Sequence, residues 1–155
     1  MESVREALQI FVRRFGLLNV SCCEECCGEQ ISMAQGHILY EIRRMVNPSM
    51  QRVAEELGMD VTTFSRQAKS LEGKGLIMRQ VWPDDRRVSL LGLTDEGLRM
   101  LEQIDGYMAA KLEQIFAPMT PFERETVVKS LALLNEAVVK SGCCTRPDKN
   151  IASSK

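Results

Sequence analysis

Long apolar runs are missing from this chain. The longest, such as Leu131-Ala132-Leu133-Leu134, fall far short of the roughly 20 residues that cross a bilayer, so no membrane partner is expected. Aromatic residues are scarce at 5%, while Leu, Met, Ala and Glu are plentiful, which points to helices. An excess of one charge is missing too, the formal net charge being −1. There is one histidine, His37, set in a helical stretch beside Ile38 and better read as a capped or interfacial side chain than as a catalyst. No Ser, His and Asp arrangement, phosphate loop or paired-carboxylate signature stands out, and the one enzyme reading left, a thiol oxidoreductase on Cys23 and Cys26, lacks the strand-helix-strand surroundings that fold requires, so no enzyme is expected. The opening Met1-Glu2-Ser3-Val4-Arg5-Glu6 is too acidic and interrupted to read as a signal peptide. A cytoplasmic location follows as the expectation.

What is present fits a globular chain of 155 residues, 45% hydrophobic and 26% charged, a size that favours one domain. The near-neutral total hides an asymmetry. Residues 41–90 hold nine Lys/Arg against seven Asp/Glu, the first 40 hold three against five, and residues 91–155 hold eight against nine. A mildly basic middle between acidic flanks gives weak support for a nucleic-acid partner, because phosphate contacts need local positive charge rather than a basic whole.

Helical periodicity and cap chemistry partition the chain. Val4, Ala7, Leu8, Phe11, Val12 and Phe15 make an i, i+3, i+4 stripe, ended by Gly16 or the cysteine segment after it. Ser32-Met33-Ala34-Gln35 is a capping box that opens a helix with Ile38, Leu39, Ile42 and Met45 inward. Asn47-Pro48-Ser49 stops that helix and caps the next, whose apolar positions are Met50, Val53, Ala54 and Leu57. Gly58 permits a sharp turn, and Asp60 caps a helix with Val61, Phe64, Ala68 and Leu71 inward. Two short helices joined by a Gly-containing turn form the helix-turn-helix layout. A hairpin follows, from Ile77 to Trp82 and from Val88 to Leu93 about a Pro83-Asp84-Asp85 turn. Thr94 caps a long helix carrying Leu98, Leu101, Ile104, Met108, Leu112 and Ile115; Ala117-Pro118 breaks it. Thr120-Pro121-Phe122-Glu123 is a second capping box and opens a helix through Val139.

The outer side of the Asp60-capped helix carries Thr62, Thr63, Ser65, Arg66, Gln67 and Lys69. Hydroxyls, an amide and cations of this kind donate to phosphates and to base edges in a major groove wide enough for a helix. On an isolated helix the same residues would read as a solvated face; the hairpin tips the balance. Arg86 and Arg87 sit at its turn, on a tip with no core to pack against, where an arginine reaches a narrow minor groove. Asp85 beside them orients the wing arginine by a charge-assisted hydrogen bond.

Ser32-Met33-Ala34-Gln35, Val53-Ala54-Glu55-Glu56-Leu57, Leu71 to Ile77 and Asp85 to Gly97, in this order and at these separations, resemble the MarR family of winged helix-turn-helix transcription regulators. The resemblance implies a mainly α fold with a small β-hairpin wing, and a homodimer bound to a pseudo-palindromic double-stranded operator, usually as a repressor released by a small ligand or oxidant. It makes the helix from Asp60 to Gly73 the recognition helix and Arg87 the wing arginine; Arg86 falls on a variable position that meets phosphate or solvent. It divides a single domain, residues 1–144, into a DNA-binding part, 31–93, and dimerisation helices, 1–30 and 94–144, with a flexible tail at 145–155. The stripes Phe11/Phe15, Leu101/Met108/Leu112 and Val128/Leu131/Leu134/Val138 agree, since neither a helix-turn-helix nor a hairpin covers them alone.

Cys22, Cys23, Cys26 and Cys27, between the first two helices, depart from the family pattern, and Cys143 and Cys144 follow the last helix. Four readings stand. The foremost is a soft metal or metalloid site, zinc, cadmium, mercury, copper(I) or trivalent arsenic, with Cys23 and Cys26 as a C-x-x-C chelate and the other four thiols extending it. In this family the last helix lies near the partner's first helix, so both cysteine clusters could share one ion. The second is a redox switch through disulfides; Glu24 and Glu25 weigh against it by raising thiol pKa values, and the same charges favour a bound cation, which is part of why the metal reading comes first. An iron-sulfur cluster uses thiolates in the same way. The fourth is permanent structure, a constitutive zinc staple or small buried hydrophobes. The nine methionines lie on apolar stripes and read as core rather than copper ligands.

Overall fold

The computed structural model describes residues 3–16, 31–82 and 88–142. The predicted cysteine sites Cys22, Cys23, Cys26, Cys27, Cys143 and Cys144, the wing-tip Asp85, Arg86 and Arg87, and the tail at 145–155 lie outside the described residues. The chain divides into two compact units, Met1–Met108 and Ala109–Lys155.

In the first unit, α1 (Val4–Phe15) is capped by Ser3, whose Oγ accepts from the Glu6 N–H at 3.2 Å, and is closed by Gly16 at φ 85°. None of its residues is buried, and Val4, Leu8 and Phe11 are exposed. Helix α2 (Met33–Arg44) opens on the predicted capping box in both halves: Gln35 N–H donates to Ser32 Oγ, and Ser32 N–H donates to Gln35 Oε1. Helix α3 (Met50–Glu56) starts from Ser49, and α4 (Val61–Gly73) from Asp60. Each cap satisfies an N–H that the first helical turn leaves without an intrahelical partner.

The core of this unit is where α2, α3 and α4 meet the hairpin. Ile38, Leu39, Val53, Phe64, Ala68, Leu71, Ile77, Leu91 and Leu101 are buried, with Met45, Met50 and Leu57 packed at its edge; Leu101, expected on a stripe left for a second copy to cover, is instead 1% exposed within this single-chain core. Each large side chain there contributes roughly 1.5–3 kcal/mol by leaving water. Two predicted inward residues are not covered. Val61 is 58% exposed and Leu98 41% exposed; each sits in the first turn of its helix, where a periodic stripe continues but the covering neighbours do not.

Strands β1 (Ile77–Val81) and β2 (Ser89–Leu93) pair antiparallel with Ile77 opposite Leu93 and Val81 opposite Ser89. Trp82 N–H donates to Val88 O at 2.9 Å, carrying the ladder one pair further toward the tip. The other edge of β2 is also occupied: Leu91 N–H donates to Pro48 O at 2.9 Å, and Ser49 bridges Leu90. The hairpin is thus bonded to the residues that start α3.

Helix α5 (Asp95–Phe116) begins where Thr94 holds the preceding turn. Thr94 N–H donates to Leu76 O at 3.1 Å, Thr94 Oγ1 donates to Gly75 O at 2.6 Å, and Gly97 N–H donates to Thr94 Oγ1 at 3.0 Å. In the second unit, α5 ends at Phe116, and Thr120 with Glu123 forms the second predicted capping box. Helix α6 (Pro121–Ser141) runs two residues beyond the predicted Val139, to the left-handed Gly142 at φ 62°. None of its residues is buried, and Phe122, Leu133 and Val139 are largely exposed. Among the described residues no helix is long and apolar enough to cross a membrane.

Candidate nucleic-acid interface

The turn between α3 and α4 is set by Gly58, in the left-handed region at φ 61°, with Met59 N–H donating back to Ala54 O at 2.8 Å. Phe64, Ala68 and Leu71 anchor α4 on the core. This anchoring fixes which side of the helix faces out. Thr62, Thr63, Arg66 and Lys69 are exposed, whereas Ser65 and Gln67 are half-buried.

The predicted residues differ in how free their polar atoms are. Asp60 Oδ1 accepts from Thr63 N–H at 2.8 Å, and Thr63 Oγ1 donates to Asp60 Oδ2 at 2.7 Å. The hydroxyl hydrogen of Thr63 is therefore engaged, leaving its oxygen as an acceptor. Gln67 Oε1 accepts from Gln35 Nε2 at 3.0 Å. Arg66 and Lys69 face no carboxylate among the described residues. The contrast with other cations of the unit is plain. Arg43 pairs with Asp105, Arg79 with Glu72, and Arg44 with both Glu41 and Glu56. The hydrogen bond to Glu41 holds the Arg44 guanidinium above its ordinary pKa, with Glu56 adding to the attraction.

Arg79 joins the two candidate DNA-facing elements. Its Nε on β1 lies 3.1 Å from Glu72 Oε2 on α4, an ion pair without hydrogen-bond alignment. The hairpin and α4 are thereby set side by side, with the Arg86 and Arg87 positions beyond the described end of the ladder. Sequence reasoning passed over Arg52, an exposed cation on α3 with no carboxylate partner among the described residues. The signal was available: in a helix-turn-helix the first helix crosses the phosphate backbone, so its outward cation belongs to the same electrostatic face.

This arrangement of α2, α3, α4 and wing coincides with a family model, that of the MarR family, matched over residues 31–89. Over that segment the chain is similar to the MarR family. Its members are winged-helix DNA-binding transcriptional regulators, and the relatives agree. The uncharacterized HTH-type transcriptional regulator YxaD of Bacillus subtilis (strain 168) is 29% identical over 139 residues, 90% of this chain and 95% of YxaD. Streptococcus pneumoniae FabT, solved in complex with DNA, superposes with a TM-score of 0.78 at 23% identity, covering 88% of this chain and 96% of FabT. The transcriptional repressor CouR, bound to a 23-mer DNA duplex, gives 0.72 at 25% identity over 86% of this chain and 93% of CouR. The mainly α fold with its hairpin wing is therefore that of a MarR winged helix.

Proposed function

We propose that this MarR-like chain is a repressor that binds a pseudo-palindromic double-stranded operator as a homodimer. The observation that carries the DNA reading is the outward face of α4, where Arg66 and Lys69 stand free of carboxylates among the described residues on a helix locked to the wing. Cations left free in this way are available to phosphate, and each contact releases a counterion. Thr62 and Thr63 lie on the same face, and Ser65 and Gln67 border it; Arg86 and Arg87, outside the described residues, complete the proposed contact set by their place in the sequence.

The dimer reading is supported by the apolar side chains that the single chain leaves in water. Phe11 and the expected stripe of Val128, Leu131, Leu134 and Val138 are each 38–57% exposed, on helices with no buried residue of their own. A second copy would cover them by a twofold operation and set two recognition helices about 34 Å apart, one duplex turn.

Operator affinity is controlled, in this proposal, by a soft metal or metalloid ion on cysteine thiolates. Among the described residues no group of three or more His, Cys, Asp or Glu could hold a metal, and His37 is exposed and alone. The donor set proposed is the thiols of Cys22, Cys23, Cys26, Cys27, Cys143 and Cys144, whose softness fits thiophilic ions and not hard ones. An ion that binds the non-operator arrangement more tightly weakens DNA binding by the same factor, about 5-fold to 150-fold for the usual 1–3 kcal/mol of coupling.

Fluorescence anisotropy of labelled duplexes across a salt series, with light scattering on the same sample, tests the first two parts. The expected result is a dimer whose log affinity falls linearly with log salt; a monomer indifferent to duplex DNA at low salt refutes them. Metal analysis with thiol titration of protein purified without air tests the third. Bound thiophilic ion with masked thiols is expected, and metal-free protein carrying oxidant-formed disulfides replaces the ion by a redox switch.

A further inference from the structure

Gln35 is a buried polar side chain, 5% exposed, and each polar atom of its amide is engaged. Its Oε1 accepts from Ser32 N–H at 3.2 Å and from Lys74 Nζ at 3.1 Å. Its Nε2 donates to Gln67 Oε1 at 3.0 Å and to Ser70 Oγ at 3.2 Å. A backbone N–H and an ammonium can only donate, so they dictate that the oxygen of Gln35 faces Ser32 and Lys74. Its nitrogen must then face α4, and Gln67 must answer with its oxygen. The amide of Gln67 is oriented by this sequence of donors, with its Nε2 left over. Among the described residues that Nε2 has no partner. Gln67 lies half-buried on the flank of α4, between exposed Thr63 one turn before it and exposed Ser70 one turn after.

Resting on the operator reading above, we propose that Gln35 is a positioning residue that sets base specificity by making Gln67 a donor-only reader. A free glutamine pairs with adenine in two places, accepting from N6 and donating to N7. With Oε1 held inward, Gln67 offers only N–H groups to the groove. Its matches are edges rich in acceptors, guanine O6 and N7 or thymine O4, while the N6 amino group of adenine opposes it. The specificity of one base pair in each half-site is thus fixed by a residue on another helix that does not touch DNA.

The polarity can be reversed without changing the shape. In Gln35→Glu one carboxylate oxygen keeps the Ser32 and Lys74 bonds, and the other presents an acceptor to α4. Gln67 then turns its Nε2 inward and its oxygen outward, becoming an acceptor for cytosine N4 or adenine N6. Wild type, Gln35→Glu and Gln67→Ala would each be used to select duplexes from a random library, the products sequenced, and folding checked by thermal melting. Wild type should favour guanine or thymine at one position per half-site by about fivefold, the equivalent of one hydrogen bond of roughly 1 kcal/mol. Gln67→Ala should lose that preference and keep the rest of the motif. Gln35→Glu should move it to adenine or cytosine. A wild-type motif that Gln67→Ala leaves intact, or that a folded Gln35→Glu protein reproduces, overturns this inference alone. A wild type that enriches no sequence overturns the operator reading and this inference with it. Should Gln35→Glu fail to fold, the Gln67→Ala comparison still decides.

Discussion

Replacing Gly97 by Ala should unfold the protein at lower temperature, although the same change in most helices stabilises. A Cβ at position 97 would lie 2.0 Å from Leu76 O and 3.0 Å from Leu76 C, backbone atoms that cannot swing away as a side chain tip could. Helix α5 must retreat by more than 1 Å to reach ordinary contact, about 3.4 Å. That retreat strains the bonds from Thr94 to Leu76 and Gly75 and withdraws Met100 and Leu101 from the core. Overpacking of this kind costs about 1–3 kcal/mol, and a lost hydrogen bond adds about 1 kcal/mol. Against this stands the helix-propensity gain of roughly 1 kcal/mol for Gly→Ala. The balance is a loss of about 1–3 kcal/mol, or roughly 2–12 °C in a chain of this length. Gly106, in the same helix, supplies the control, because nothing lies within 4 Å of its built Cβ; Gly106→Ala should raise the melting temperature by a few degrees at most. Scanning calorimetry of the three proteins would decide. A Gly97→Ala protein that melts at or above wild type refutes the steric argument.

Three further outcomes are expected. Arg66→Ala and Lys69→Ala should each weaken binding to all duplexes and reduce the slope of log affinity against log salt by about 1 if the side chain meets phosphate, as read by anisotropy titration. Serine at Cys22, Cys23, Cys26 and Cys27 together should abolish the response to thiophilic ions or oxidants while sparing operator affinity; a variant that still responds would place sensing elsewhere. Glu123 is held below the ordinary carboxylate pKa, first by the Thr120 backbone N–H and then by its hydroxyl. The capping box is therefore complete above the ordinary carboxylate range and fails as pH falls through the depressed value. Protection factors of the amides in the first turn of α6, with the intrinsic pH dependence of exchange divided out, should fall on acidification in wild type and stay constant in Glu123→Gln.

Much of this fold was legible because its boundaries are written in local chemistry. Ser32 with Gln35, Ser49, Asp60, and Thr120 with Glu123 each announce a helix start within four residues, and each is found capping one. The hairpin was legible for the same reason, alternation about a turn. Tertiary partnerships were not. Periodicity aligned Val61 and Leu98 with their inward neighbours but carries no information on where the neighbouring elements end. Gln35 looked like a cap and nothing more, and Gln67 like an unconstrained reader, since their bond joins residues 32 apart in the chain. The free state of Arg66 and Lys69 likewise depends on where the acidic side chains settle, with Glu72 claimed by Arg79.

The bond from Leu91 to Pro48 and the Ser49–Leu90 bridge on β2, with the Arg79–Glu72 pair on β1, make the hairpin a common strut for both halves of the reading head. A wing so braced has no hinge of its own at its root. Any displacement of such a head would carry ribbon and helix together, like a key turned by its bow.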